Sequence, residues 1–242
     1  MLHFRDMDTS NTTLIQALFQ VGAHFGFPKS RRHATMKPYV YGAKNKTDIL
    51  DLTKTAPLFE TALTYIGGIG AHGKQILIVS GKPEMQDLIR TAASDMGMPY
   101  VAGRWLGGTL TNYVEIKKRI KRMLELTGDR DTGELAKKYT KKERLMIDRE
   151  IARLEEKFSG LVPMEKLPDA LLIVDTRHDS IAVAEAHELG IPVVGIMNTD
   201  CDMSMVTYPI IGNDASRDSV KYFLDEIVKA YREGTKGKVS AG

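Results

Sequence analysis

Short, uninterrupted apolar runs constrain this chain more than any other feature. They fall within Gln75–Ser80, Ala170–Asp175 and Pro192–Met197, and each is bounded by stretches with helical spacing. A strand that is apolar on both sides has to be buried on both faces, which calls for a parallel sheet sandwiched between helices. The neighbouring segments complete the alternation. Asp48–Leu52, Pro99–Ala102 and Tyr208–Ile211 read as shorter strands. Lys54–Ile69 is predicted as a helix with Leu58, Phe59, Ala62, Leu63 and Ile66 on one face, and Pro83–Met96 as a helix with proline in its first turn. Ser180–Leu189 and Ala215–Arg232 are the remaining helices of this set. At the start of the chain, Ser10 or Asn11 is expected to cap a helix carrying Leu14, Ile15, Leu18 and Phe19, which Gly22, Gly26 and Pro28 end. The tail from Glu233 is rich in Gly, Lys and Ser and is expected to be flexible.

The alternation breaks at Gly103-Arg104-Trp105-Leu106-Gly107-Gly108-Thr109-Leu110-Thr111-Asn112, which holds the single tryptophan. The glycines suit positive φ or a close backbone approach. Thr109, Thr111 or Asn112 is placed to cap the helix that follows. Two readings stand here: unpaired N–H groups at a helix start that hold a phosphate, or a tight turn with Trp105 as a buried anchor. Beyond it, Tyr113, Ile116, Ile120 and Met123 form one apolar stripe, and Ile147, Ile151, Leu154 and Phe158 another, with a break at Gly128–Gly133. Two such helices in succession should pair as an antiparallel hairpin. The division that follows is an α/β domain from 1–108 and 161–232, a helical hairpin inserted at 109–160, and a flexible tail at 233–242.

At 242 residues the chain is long enough to bury a core without metal or disulfide. Its lone Cys201 excludes an internal disulfide and fits a reducing compartment. No apolar run approaches the length of a membrane span. Met1–Ser10 lacks the apolar core of a signal peptide, and Asp6 and Asp8 argue against a transit peptide, so a cytoplasmic location is expected. Net charge is only +3, but it is unevenly spread. Lys29, Arg31, Arg32, Lys37, Lys44 and Lys46 stand with no acid among them, whereas Leu167–Glu226 holds three basic residues against eleven acids. The basic stretch reads as a loop. Its Lys37-Pro38-Tyr39-Val40-Tyr41-Gly42 sets aromatics among cations, a mixture that suits RNA phosphates and bases; a solvated loop is the plainer alternative.

Catalytic signals are weak. Gly81-Lys82 lacks the upstream glycine and following hydroxyl of a phosphate loop, and no Gly-x-Gly-x-x-Gly follows the first strand. Asp175, His178 and Asp179, joined by Asp200, Cys201 and Asp202, sit after strands, where they can ligate a metal, do acid–base work or cap helices. His24 reads as structural.

Several stretches together resemble one family, the universal second protein of the small ribosomal subunit. They are His24-Phe25-Gly26, Met36-Lys37-Pro38-Tyr39, Asp51-Leu52-x-Lys54-Thr55, the motif from Arg104 to Asn112, and Leu167-Pro168-Asp169-Ala170. Glu185-Ala186-x-x-Leu189-Gly190-Ile191-Pro192-Val193 and Ile211-Gly212-Asn213-Asp214 complete the set, in order, over about residues 12–233. Tyr139-Thr140-Lys141-Lys142-Glu143 is similar to the start of the family's second long helix, and the length of the charged hairpin points to the bacterial branch.

The resemblance implies a flavodoxin- or Rossmann-like α/β fold with helices on both faces of a parallel sheet and a protruding hairpin. It implies a non-enzymatic constituent of the small subunit that contacts ribosomal RNA at the head–body junction. It also implies a role in seating the large OB-fold-repeat first protein of that subunit. No cofactor, metal, DNA or membrane partner is expected. The RNA-contacting residues expected are Lys29, Arg31, Arg32, Lys37, Tyr39, Lys44 and Lys46, assisted by Arg104, Asn112, Lys117 and Lys118, with Trp105, Gly107 and Gly108 as the structural anchor. Phe27 stands where the family commonly has a second histidine, and Arg32-His33-Ala34-Thr35 replaces a usual Trp-Asn-Pro, so positive charge is retained there rather than detailed contacts. The competing reading is a Rossmann-like nucleotide-binding enzyme that uses the glycine-rich junction as its phosphate site.

Overall fold

A computed structural model describes residues 3–239, with side chains placed for 12–237. Its centre is a five-stranded parallel sheet formed by β4 (Ile76–Ser80), β5 (Tyr100–Ala102), β6 (Ala170–Val174), β7 (Val193–Met197) and β8 (Tyr208–Ile211), in the order β5-β4-β6-β7-β8. The uninterrupted apolar runs form β4, β6 and β7, buried along their whole length. Successive side chains point to opposite faces. Ile76, Ile78, Leu172 and Val174 therefore meet α1 (His3–Gln20), α2 (Leu52–His72), α3 (Gln86–Met96) and α8 (Arg217–Val239) on one side. Leu77, Val79, Leu171 and Ile173 meet α7 (Ser180–Glu188), Trp105 and the root of the hairpin on the other. Among the described residues no helix is long and apolar enough to cross a membrane.

The hairpin consists of α4 (Tyr113–Asp131), a short α5 (Glu134–Lys138) and α6 (Lys141–Phe158). Ile116, Ile120, Met123, Ile151 and Phe158 are buried, as their spacing requires. Thr140 and Glu143 close a reciprocal capping box at the start of α6. Two details of this element bear on its boundaries. Within the expected break at Gly128–Gly133, α4 runs on to Asp131 and the turn itself falls at Thr132 and Gly133. The hairpin root is not separate from the α/β core: Ile116, Ile120, Met123 and Phe158 share one apolar cluster with Trp105, Leu77 and Leu171.

Four expectations fail. Helix α1 begins at His3 and passes through Ser10 and Asn11, so neither caps it. The supposed basic loop is ordered. With its flanks it forms a three-stranded antiparallel sheet, β1 (Phe25–Pro28), β3 (Thr47–Leu50) and β2 (Val40–Lys44), joined through short 3-10 turns. The strand placed at Asp48–Leu52 belongs to this small sheet rather than to the parallel one. The expected flexible tail is helix as far as Val239, and residues 240–242 lie outside those described. Gly234 explains the difference: a Cβ there would lie 2.1 Å from the Gly67 carbonyl oxygen, so the glycine is where α8 presses backbone to backbone on α2.

Candidate nucleic-acid interface

The glycine-rich junction wraps around a carboxylate from another element. Glu185 of α7 is buried, and its Oε1 accepts from Trp105 Nε1 at 3.0 Å and from the Gly108 N–H at 2.7 Å. Its Oε2 accepts from the Leu110 N–H at 2.9 Å and the Thr111 N–H at 3.2 Å. Burial raises the Glu185 carboxyl, but the donors of Trp105, Leu110, Gly108 and Thr111 outweigh it and hold the group below the usual carboxylate range. Gly108, at φ 86°, turns the chain so that these donors converge. These are the N–H groups that a phosphate would take at such a turn, and the protein's own side chain has them. Trp105 is 5% exposed and anchors the cluster, as expected. The expected caps are absent: Asn112 holds the N-cap position of α4 without a side-chain cap bond, the Thr109 hydroxyl donates to the Leu106 carbonyl, and the Thr111 hydroxyl reaches Glu185.

In a sheet of this order a ligand crevice opens beyond the strand ends where chain direction reverses, between β4 and β6. Here it is filled from within. Lys82, following β4, lies 2.8 Å from Asp175 and 3.2 Å from Asp214. Burial works against the Lys82 charge, yet Asp214 and Asp175 more than offset it and raise its pKa. Burial in turn pushes the Asp214 carboxyl up to about 6 against the pull of Lys82, and the buried Cys201 thiol up to about 12. The Asp179 carboxylate accepts from the Gly81 N–H at 2.7 Å instead of capping α7.

The candidate catalytic and metal residues do not converge as one set. Asp175 and Cys201 come together with Asp214, their ligand atoms within 4.8 Å of one another, and Lys82 supplies the positive charge between the two carboxylates. Asp200 is held by Arg31 at 2.9 Å and Arg177 at 3.0 Å, Asp202 lies beside His33, and His178 beside Asp179.

The small antiparallel sheet sits over these strand ends. The Thr199 hydroxyl accepts from the Phe27 N–H at 2.9 Å, and the Thr199 carbonyl accepts from the His33 N–H at 2.8 Å. Gly26 permits the fit, since a Cβ there would come 2.8 Å from the Thr199 methyl. Within this module the six cations divide. Arg32 forms a two-point pair with fully buried Asp48, its Nε donating at 2.6 Å to Oδ2 and its terminal nitrogen to Oδ1. Arg31 pairs with Asp200 and stacks over Phe27, 4.3 Å from the ring centre. The cations of this segment therefore do meet acids, brought in from β3 and from the loop after β7, and the separation of charge along the sequence is not preserved in space. Lys29, Lys37, Lys44 and Lys46 are exposed, with no ion pair among the described residues. The Lys29 N–H donates to the Lys46 carbonyl at 2.9 Å, which brings two of them to one end of the sheet.

The remaining expected contacts are scattered. Tyr39 packs inward against the core, while Tyr41, two residues on, is 81% exposed. Arg104 is exposed beside the junction, where Gly107 stands open. Lys117 reaches the Glu165 carbonyl at 3.1 Å, and Lys118 is paired with Glu115 on the hairpin surface. Sequence reasoning missed the clustering of Phe19, His24 and Phe25. Phe19 and His24 stack at 4.4 Å, and His24 and Phe25 lie at 4.1 Å. The adjacency of His24 and Phe25 just past the helix end was the available signal.

A flavodoxin-like order of five parallel strands, an internally filled crevice and a basic antiparallel module define an α/β scaffold with a hairpin appendage. The family model for ribosomal protein S2 matches residues 18–234. Among similar proteins, small ribosomal subunit protein uS2 of Pseudoalteromonas atlantica is 41% identical over 92% of this chain and 91% of its own length. The uS2 protein of Sulfurimonas denitrificans is also 41% identical, over 90% of this chain and 83% of its own length. That of Acidobacterium capsulatum is 39% identical over 94% and 75%. The chain belongs to the ribosomal protein S2 family, structural constituents of the small ribosomal subunit.

Proposed function

We propose that this protein binds small-subunit ribosomal RNA through the antiparallel module, at the head–body junction, in the bacterial cytoplasm. The observation that carries the proposal is the division among its cations: Arg31 and Arg32 are committed to internal carboxylates, while Lys29, Lys37, Lys44 and Lys46 stand exposed and unpaired on an ordered surface. Four ammonium groups held without counter-charge gain from a polyphosphate that releases its own counterions. Arg104, Asn112, Lys117 and Lys118, at the junction and the first turns of α4, are proposed as separate, supporting contacts. The test is co-sedimentation with small subunits lacking the protein. Replacing Lys29, Lys44 and Lys46 by Gln should weaken incorporation, and full incorporation by that variant would contradict the proposal.

The hairpin serves protein neighbours, the large OB-fold-repeat first protein of the subunit among them. In support, Leu145 and Met146 are more than half exposed near its tip, and Glu115 with Lys118, Lys121 with Glu125 and Arg122 with Glu150 pair on its surface. Leu145→Glu with Met146→Glu should reduce recruitment of that protein and leave RNA affinity unchanged. No enzymatic role is assigned: the Glu185 carboxylate takes the N–H groups of the glycine-rich junction, and Asp175 and Asp214 take the Lys82 ammonium after β4.

A further inference from the structure

The turn between α1 and β1 carries three rings in one stack. Phe19 and His24 are nearly parallel, 10° apart at 4.4 Å, and Phe25 lies on His24 at 4.1 Å with a tilt of 38°. The stack is held rigidly. Gly22 takes φ 71°, the Asn213 N–H donates to the Ala23 carbonyl at 2.9 Å, the Asn213 side chain donates to the Gly22 carbonyl, and the Leu50 N–H donates to the His24 carbonyl at 2.8 Å. Rings that only sealed a helix end would bury their outer faces. Here Phe19 is 62% exposed and Phe25 48%. Burial lowers the His24 pKa, so the middle ring is a neutral, flat partner at physiological pH, and its Nδ1 has no hydrogen-bond partner.

We infer that the Phe19–His24–Phe25 stack is a platform for an unpaired RNA base. Its setting names the occupant. Phe25 opens strand β1, and Lys29 follows directly at that strand's far end, beside Lys44 and Lys46 of the same small sheet. Exposed rings at one end of β1 and unpaired cations at its other end, a few residues apart on one module, match single-stranded nucleic acid, whose bases stack while its phosphates meet the cations. An apolar protein segment would gain nothing from the lysines. The inference rests on the RNA-binding reading above and adds that bases as well as backbone are gripped.

The test compares a single-stranded oligoadenylate with an RNA duplex of equal length as probes, across a salt series. Phe19→Leu with Phe25→Leu keeps apolar bulk but removes the flat faces, and circular dichroism checks that the fold is kept. Loss of one stacked base corresponds to roughly five- to hundredfold in affinity. The double variant should show a loss in that range for the oligoadenylate at every salt concentration, with an unchanged salt slope and little change for the duplex. Phe19→Trp should retain binding, and its fluorescence should be quenched by the oligoadenylate. Equal losses for both probes, or none for either while the Lys29, Lys44 and Lys46 variant still weakens binding, would overturn the platform and leave the RNA reading standing. If neither the aromatic nor the lysine variant changes RNA binding, both readings fall, and a protein partner becomes the better account of the rings.

Discussion

At the scale of single residues, buried charge decides which groups build the fold and which remain for a partner. Glu185 satisfies four N–H donors of the junction, so Glu185→Ala strands a ring N–H and three backbone N–H groups. The expected cost is on the order of 3 kcal/mol, read as a lowered midpoint in denaturant. Because the folded pKa of Glu185 is depressed, its contribution is present above the unfolded value and is lost as pH falls through the folded one. The gap in stability between the parent and Glu185→Gln should therefore be full at neutral pH and shrink below about pH 4. Trp105→Ala removes the anchor of the same cluster and should cost about 3–5 kcal/mol. Arg32→Ala leaves the fully buried Asp48 unpaired and should cost about 3–5 kcal/mol, whereas Lys37→Ala should leave thermal stability unchanged. That contrast separates an arginine that holds the module together from a lysine that faces outward, although both belong to one basic run. The sequence shows the charges of this run but not their partners. Asp48 lies just beyond it and Asp200 comes from far along the chain, so only the folded topology pairs them.

At the scale of elements, the strands of the parallel sheet and the hairpin helices were legible because burial imposes a period: continuous for β4, β6 and β7, near 3.6 for α4 and α6. The small sheet was not. Its strands are only four or five residues long, and Pro38 and most of the cations lie in the turns between them, so composition suggests a loop. Its order comes from long-range contacts with Thr199 and Asp200. The end of α8 misled for a related reason, since Gly234 disfavours an isolated helix but permits close contact with α2. The hairpin root shares the core cluster, so we expect stability to divide further out along the hairpin than residue 109. Removing residues 124–147 and closing the chain with a short linker should keep a cooperative thermal transition. Removing the root as well, by deleting residues 111–158, should abolish it by exposing Trp105 and its neighbours.

At the scale of the whole molecule, the groups of this α/β fold that could meet a phosphate are taken internally: Glu185 accepts from the N–H groups of the glycine-rich junction, and Asp175 and Asp214 hold the Lys82 ammonium where chain direction reverses. Calorimetry with ATP or NAD should accordingly detect no micromolar binding; a stoichiometric complex would revive the enzyme reading. What remains for partners is the exterior, where Lys29, Lys37, Lys44 and Lys46 of the small module are exposed with no ion pair among the described residues. The most direct test is the affinity for small-subunit ribosomal RNA measured over a salt series. Converting Lys29, Lys44 and Lys46 to Gln should flatten the slope of log affinity against log salt by about two to three units. Converting Arg217, which donates to the Glu84 carbonyl, and Lys221, which pairs with Asp225 along α8, should leave it unchanged. Equal slopes for the lysine variant and the parent, or a larger change in the Arg217 and Lys221 variant, would contradict the placement of the RNA face on this module.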